Sequence, residues 1–239
     1  MAVSTTNPLI AGPEPEVTQI EIPADGVRIK AHLARPRGVA SRPAVVVIHQ
    51  NRGLQPNIRD VADGLASSGY TAVAPDLLSR EGGAESLADP RAVLNAIPRE
   101  RFTVDALAVV NYVKALPEVT RIGIIGLCFG GEVAWRVATE SADIAVVVPI
   151  YGVNPPLEDV PNIKAAVYAI YAGLDERVNA GIPDIAKALG AAGVTYNMKV
   201  YGGVEHSFMN HTSEDAYDAD ASAAAWADAL AWFDVHLRP

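Results

Sequence analysis

Chemistry on this chain starts from one cysteine set between glycines. The stretch Arg121-Ile-Gly-Ile-Ile-Gly-Leu-Cys-Phe-Gly-Gly-Glu-Val-Ala-Trp135 holds Cys128, the single cysteine of 239 residues. A short apolar, β-branched run bounded by glycines predicts a buried strand, and the Ala/Val/Trp/Arg-rich run after Gly131 predicts a helix. Gly126-x-Cys128-x-Gly130 then has the spacing of a nucleophile elbow, with cysteine in place of serine. The flanking glycines let strand and helix backbones approach across a strained turn, which lifts the side chain into the open. The same turn puts Cys128 at a helix N-terminus, where the macrodipole favours an anion and hence the reactive thiolate. The plainer reading, a free cysteine packed as a small hydrophobe, fits this glycine spacing less well.

A thiol nucleophile needs a base, and the base needs an orienting acid. Asp175 lies just past the predicted strand Ala165 to Tyr171, in Ala172-Gly-Leu-Asp175, and His206 just past the predicted strand Thr195 to Tyr201, in Gly202-Gly-Val-Glu-His206. Both therefore fall at the sheet edge that carries Cys128, in the order nucleophile, acid, histidine. Each has a duller reading when taken alone. A loop aspartate usually caps a turn, as expected of Asp76, and His206 could be a surface histidine. Of the remaining histidines, His32 lies in a hairpin, His49 ends a strand, His211 sits in a polar loop and His236 is near the C-terminus. None has the strand-then-glycine-turn context of His206. No His-Glu-x-x-His helix occurs and His206 with His211 is too loose a pair, so no metal is expected.

Positioning three such groups requires strands that end together. Residues 1–16 are proline-rich with little periodicity and predict an extended, poorly ordered arm. Val17 to Ile22 and Val27 to Ala34 alternate around Pro-Ala-Asp-Gly and predict an antiparallel hairpin. Ala44 to Ile48 is a continuous apolar run, as in a strand buried on both faces of a parallel sheet, with His49 to Gly53 as its exit loop. Asn57 to Ser68 predicts a helix and Thr71 to Pro75 a strand. Asp76 to Pro98 is irregular and predicts a long loop or flap over the sheet. Helices are expected at Phe102 to Leu116, Gly130 to Thr139, Pro183 to Leu189 and Tyr217 to Leu237, and strands at Arg121 to Ile125, Ile144 to Ile150, Ala165 to Tyr171 and Thr195 to Tyr201. A proline-rich loop is expected from Tyr151 to Pro161. This alternation specifies an α/β fold with a mostly parallel, doubly wound sheet behind an N-terminal antiparallel hairpin. Residues 17–239 read as one domain, with no repeat or linker to divide them.

Bulk properties narrow the function classes. A net charge of −9 with only 19 basic residues argues against nucleic acid or an anionic membrane surface, since both need clustered Lys and Arg. Met1 to Pro23 lacks a charged and apolar signal segment, and no apolar run approaches the ~20 residues of a membrane helix. One cysteine allows no intrachain disulfide, so the fold does not depend on an oxidising compartment. The expectation is a cytoplasmic protein, a monomer or small homo-oligomer, acting on a small molecule.

Taken together, Gly126-Leu-Cys-Phe-Gly-Gly131, Gly173-Leu-Asp175, His206-Ser-Phe208, Ala74-Pro-Asp-Leu77 and the His49 to Gly53 loop resemble the dienelactone hydrolase family of α/β-hydrolases. The likeness spans roughly residues 17–237. It implies a Cys-His-Asp triad on Cys128, His206 and Asp175 that hydrolyses an ester or lactone without a cofactor. It also implies an oxyanion hole from the backbone N–H groups of Phe129 and Asn51, in keeping with general elbow geometry. Two positions depart from the pattern. Gln50 stands where better-known members have a glutamate that helps activate the thiol, and a neutral amide cannot accept that proton. Arg80 matches the first of two arginines that bind a substrate carboxylate, but Asn210 stands at the second, with Arg52 or His211 as substitutes. Gln50 and Arg80 are thus the expected substrate-binding residues. The alternatives are a hydrolase for thioesters or activated aryl esters, and a member that binds a ligand without turnover.

Overall fold

The computed structural model describes residues 7–38 and 41–238. The chain opens with the hairpin β1 (Glu16–Ala24) and β2 (Val27–Arg35). It turns on Asp25 and Gly26 at φ 43° and 76°, the positive values that a tight two-residue turn requires. There follow β3 (Arg42–Ile48), α1 (Pro56–Ser67) and β4 (Thr71–Pro75), then α2 (Pro90–Asn95) and α3 (Arg99–Lys114). The central unit is β5 (Val119–Leu127), α4 (Phe129–Glu140) and β6 (Ile144–Ile150). The last part holds β7 (Ala166–Ala172), α5 (Glu176–Asn179), α6 (Ile182–Ala192), β8 (Tyr196–Tyr201) and α7 (Ala219–Leu237). One sheet results, in the order β1-β2-β4-β3-β5-β6-β7-β8. β2 runs antiparallel to both β1 and β4, and every pairing from β4 across to β8 is parallel.

Both faces of the parallel part are covered, which is why its strands read as unbroken apolar runs. Val45 and Val47 face a layer built from α1 and α7, against Ile58, Leu65, Trp226 and Phe233. Ala44, Val46 and Ile48 point the other way, into a layer with Phe102, Val133, Trp135 and Leu189 from α3, α4 and α6. All seven residues of β3 are buried, so each side of the strand contributes to one of the two layers. The parallel strands point the same way, and their C-terminal ends share one edge.

Several expectations are corrected in detail. The segment from Asp76 to Pro98 is not an open flap. It holds 3-10 turns at Ser79–Glu81 and Ala84–Ser86 and then α2, whose cap Asp89 accepts the Ala92 N–H at 3.0 Å. Elements this short show no periodicity. The loop after β6 likewise contains a 3-10 turn at Leu157–Asn162. Residues 1–6 of the N-terminal arm lie outside the described residues, but the next ones are anchored. Asn7 Nδ2 donates to Asp60 O at 2.8 Å, and Leu9 packs into the layer of α1 and α7. Among the described residues no helix is long and apolar enough to cross a membrane.

Candidate active site

The site begins where β5 becomes α4. Cys128 has φ 57° and ψ −115°, a backbone conformation that a residue with a Cβ adopts only under strain. The neighbouring glycines are required by contact: a Cβ on Gly126 would lie 1.9 Å from Gly130 O, and one on Gly130 would lie 2.2 Å from Ile48 O. A hydrogen bond from Cys128 N–H to Ile150 O at 2.9 Å ties the turn to the end of β6. The sulfur therefore stands at the C-terminal edge of the sheet, half-buried, at the start of α4.

Asp175 and His206 reach it from the exits of β7 and β8. Those two exit loops are joined by hydrogen bonds from Gly173 N–H to Tyr201 O at 2.7 Å and from Leu174 N–H to Val204 O at 3.0 Å. Asp175 caps α5, one carboxylate oxygen accepting the Val178 N–H at 3.2 Å, and its other oxygen lies 2.5 Å from His206 Nδ1. His206 Nε2 lies 3.0 Å from Cys128 Sγ. Burial alone would lower the imidazole, but hydrogen bonds and charge from Cys128 and then Asp175 outweigh it, and the His206 pKa is raised above its ordinary value. The arrangement favours a proton on the ring between the sulfur and the carboxylate.

The sulfur opens onto a cavity of about 700 Å³ lined by Gln50, Asn51, Arg91, Arg177, His206 and Asn210. A recess of about 120 Å³, also lined by Cys128, is bounded by Phe129, Arg99 and Tyr151. A cavity of about 730 Å³ between the hairpin and α1, lined by Gln19, Lys30 and Arg59, does not reach Cys128, so size alone does not single out the site. Among the described residues neither the Asn51 N–H nor the Phe129 N–H donates to a protein acceptor. Two donors of the expected oxyanion pair are thus free beside the thiol.

Gln50 is where the sequence places it, and its partners are now visible. Its amide oxygen accepts from Asn57 Nδ2 at 3.1 Å, and its amide nitrogen donates to Ser207 Oγ at 3.3 Å, next to His206. Arg80, in contrast, is engaged by another side chain. It lines neither cavity at Cys128; its guanidinium forks onto Asp105 of α3 with contacts of 2.8–3.1 Å. Asp105 is almost fully buried and needs a cation, and Arg101 lies beside it at 3.6 Å. Of the suggested substitutes, Arg52 lines the larger cavity, whereas His211 pairs with Asp60 at 3.0 Å. Sequence reasoning missed Arg91, Arg177 and Tyr151. Arg177 carried a signal, two residues past Asp175 at the start of a helix. Tyr151 carried one too, as the first residue past β6. Arg91 belongs to α2, which has no periodic signature. Tyr151 is buried with its hydroxyl unpartnered, its ring lies 4.9 Å from that of His206, and burial followed by the nearby Cys128 charge pushes its pKa well up.

Residues 29–237 match the model of the dienelactone hydrolase family. The chain belongs to that family. A protein of Saccharolobus solfataricus assigned as a carboxymethylenebutenolidase is 32% identical over 85% of this chain and 92% of its own length. Protein usf of Aquifex pyrophilus is 33% identical over 91% of this chain and 98% of its own. Among solved structures, a protein from Klebsiella pneumoniae assigned as a dienelactone hydrolase superposes with a TM-score of 0.84 at 25% identity, covering 92% of this chain and 99% of the other. The α/β-hydrolase fold and a hydrolase of the dienelactone hydrolase type follow from these matches. In this chain Gln50 and Asn210 line the cavity wall, and Arg80 engages Asp105.

Proposed function

We propose that the protein hydrolyses an ester or lactone through a Cys-His-Asp triad, in the manner of a carboxymethylenebutenolidase. The observation that carries this reading is the continuous contact from Asp175 through His206 to Cys128, at 2.5 and 3.0 Å. The Cys128 thiolate attacks the carbonyl carbon; a C–S bond forms and the carbonyl electrons move to oxygen, which the Asn51 and Phe129 N–H groups receive. Collapse breaks the C–O bond, and the leaving oxygen takes the proton held by His206. Water then attacks the thioester, passes a proton to His206 and releases the acid, with the thiolate restored. Asp175 fixes the ring with Nδ1–H toward the carboxylate throughout. No cofactor enters these steps, and a single cysteine that acts as a free thiolate needs no oxidising compartment to fold, in keeping with a cytoplasmic setting.

The test is mass spectrometry of the protein after brief exposure to a panel of lactones and chromogenic esters. An acyl adduct on Cys128 is expected, together with a burst of leaving group that Cys128→Ala abolishes. More than a tenth of parental turnover in Cys128→Ala would remove the assignment, since loss of a nucleophile costs several orders of magnitude in rate. A second reading, ligand binding without turnover, draws on Gln50 and Asn210, neutral where the family resemblance implies a glutamate and an arginine; saturable binding with no burst across the panel would favour it.

A further inference from the structure

His49 was expected only to end a strand, yet it is the most enclosed titratable group beside the cavity, with no exposed surface. Both ring nitrogens are committed to backbone. Nδ1 lies 2.7 Å from Gln50 O, and Nε2 accepts the Leu77 N–H at 3.0 Å. A nitrogen that accepts an N–H carries no proton, so the ring is neutral with its proton on Nδ1, and that proton is donated to the Gln50 carbonyl. An imidazolium would set Nε2–H against the Leu77 N–H. Burial supports the neutral form, lowering the His49 pKa in spite of the opposing charge of Asp76. Asp76 does not compete for the ring proton, because its two oxygens accept the Leu78 N–H at 3.1 Å and the Ala84 N–H at 2.7 Å.

The carbonyl that His49 holds belongs to the same peptide group as the Asn51 N–H. In a trans peptide the C=O and N–H point in opposite directions, and rotation about the bond is blocked. A donor fixed on the Gln50 oxygen therefore fixes the direction of the Asn51 N–H. Gly53 N–H adds a second donor to that oxygen at 3.2 Å and closes the turn. The ring also stacks on Phe129, with centroids 6.0 Å apart and planes inclined by 26°, so one side chain meets both the peptide group that carries the Asn51 N–H and the side chain of the residue that carries the other free N–H.

We propose that His49 is a positioning residue that aims the Asn51 N–H at the developing oxyanion by gripping the Gln50 carbonyl. This rests on the hydrolytic reading above and extends it to a residue that touches neither sulfur nor substrate. It also predicts which half of the imidazole matters. An asparagine at this position can place its amide nitrogen near that of Nδ1 and keep the donor, whereas a glutamine offers an acceptor toward Leu77 but loses the donor to Gln50.

The experiment compares the parent with His49→Gln and His49→Asn on a neutral chromogenic ester, and in parallel measures iodoacetamide alkylation of Cys128. His49→Gln should lower kcat about 100-fold, the usual loss of one oxyanion donor. KM should stay within about threefold and the alkylation rate within about twofold, since neither needs the Asn51 N–H. His49→Asn should keep at least about a tenth of parental kcat, the donor being retained. The proposal is overturned if His49→Gln keeps more than half of kcat, if alkylation falls in step with kcat, or if asparagine rescues no better than glutamine. Nitrogen-15 NMR of the parent supplies a readout independent of turnover and of how well the variants fold. One protonated and one bare ring nitrogen should persist from pH 6 to 8, and an imidazolium or an Nε2-protonated ring overturns the grip on Gln50. A parent without Cys128-dependent turnover would sink the hydrolytic reading instead, and the NMR result would still decide the state of His49.

Discussion

The exit loops of β3 and β8 each present a histidine at the same edge of the sheet, and the two rings are put to opposite uses. His49 is sealed between two backbone groups, 2.7 and 3.0 Å away, and its protonation state is fixed by them. His206 stands between a thiol and a carboxylate, 3.0 and 2.5 Å away, partly open to the cavity, and its proton can be given up and taken back. Residue type is the same; what differs is whether the partners are fixed dipoles or groups that themselves change charge. An imidazole clamped by amides orients its surroundings, and one set between ionisable partners moves protons. Gln50 connects the two regions, since it follows His49 in sequence and donates to Ser207 beside His206.

The largest effect expected is on the mobile proton. His206→Gln should reduce ester hydrolysis by at least about 10³-fold, and Asp175→Asn by a comparable factor, because the amide holds the ring in the wrong tautomer. Steady-state rates on a neutral ester measure this. If His206→Gln were no more harmful than His49→Gln, the division between a proton carrier and an orienting ring would fail.

A smaller effect separates the two histidines by the sign of their pH dependence. The His49 pKa is lowered in the folded state, so its stabilising contribution is present above the unfolded value near pH 6.5 and is lost as pH falls below it. The His206 pKa is raised, so its contribution is present below about pH 6.5 and is lost as pH rises through the folded value. Thermal midpoints measured from pH 5 to 8 should therefore show the gap between parent and His49→Gln widening with pH. The gap between parent and His206→Gln should narrow. Parallel curves would show that the rings do not differ in this way.

Much of this arrangement is legible in the chain because it depends on local pattern. β3, β5, β6 and β7 are buried on both faces, so their apolar runs mark where strands stop, and Asp175 falls a few residues beyond the stop of β7; His206 follows the more exposed β8, whose end is marked by Gly202-Gly203. The elbow is visible because only glycine fits at Gly126 and Gly130. What escapes is settled by distant partners. Arg80 is expected from the resemblance to bind a substrate carboxylate, yet its carboxylate partner is 25 residues away on the buried side of α3, and no local spacing shows that a cation there is already engaged. His49 looked inert because its partners are backbone atoms, one of them 28 residues on. Arg91 was hidden with α2, a helix of six residues, shorter than two turns.

β8 lies at the free margin of the sheet, bonded to β7 alone, and most of its side chains are exposed. A strand held on one side opens with less work than one held on two, and the loop that bears His206 hangs from its end. During folding the thiol turn can be complete while its histidine is still undocked, so assembly of the reactive centre waits on the last strand. Heating should reverse that order: hydrogen exchange at Tyr196–Tyr201 is expected to outpace exchange at Arg42–Ile48, with hydrolysis fading before the sheet melts. Uniform exchange across both strands, with activity lost only at the global transition, would mean that the margin is as firmly held as the centre.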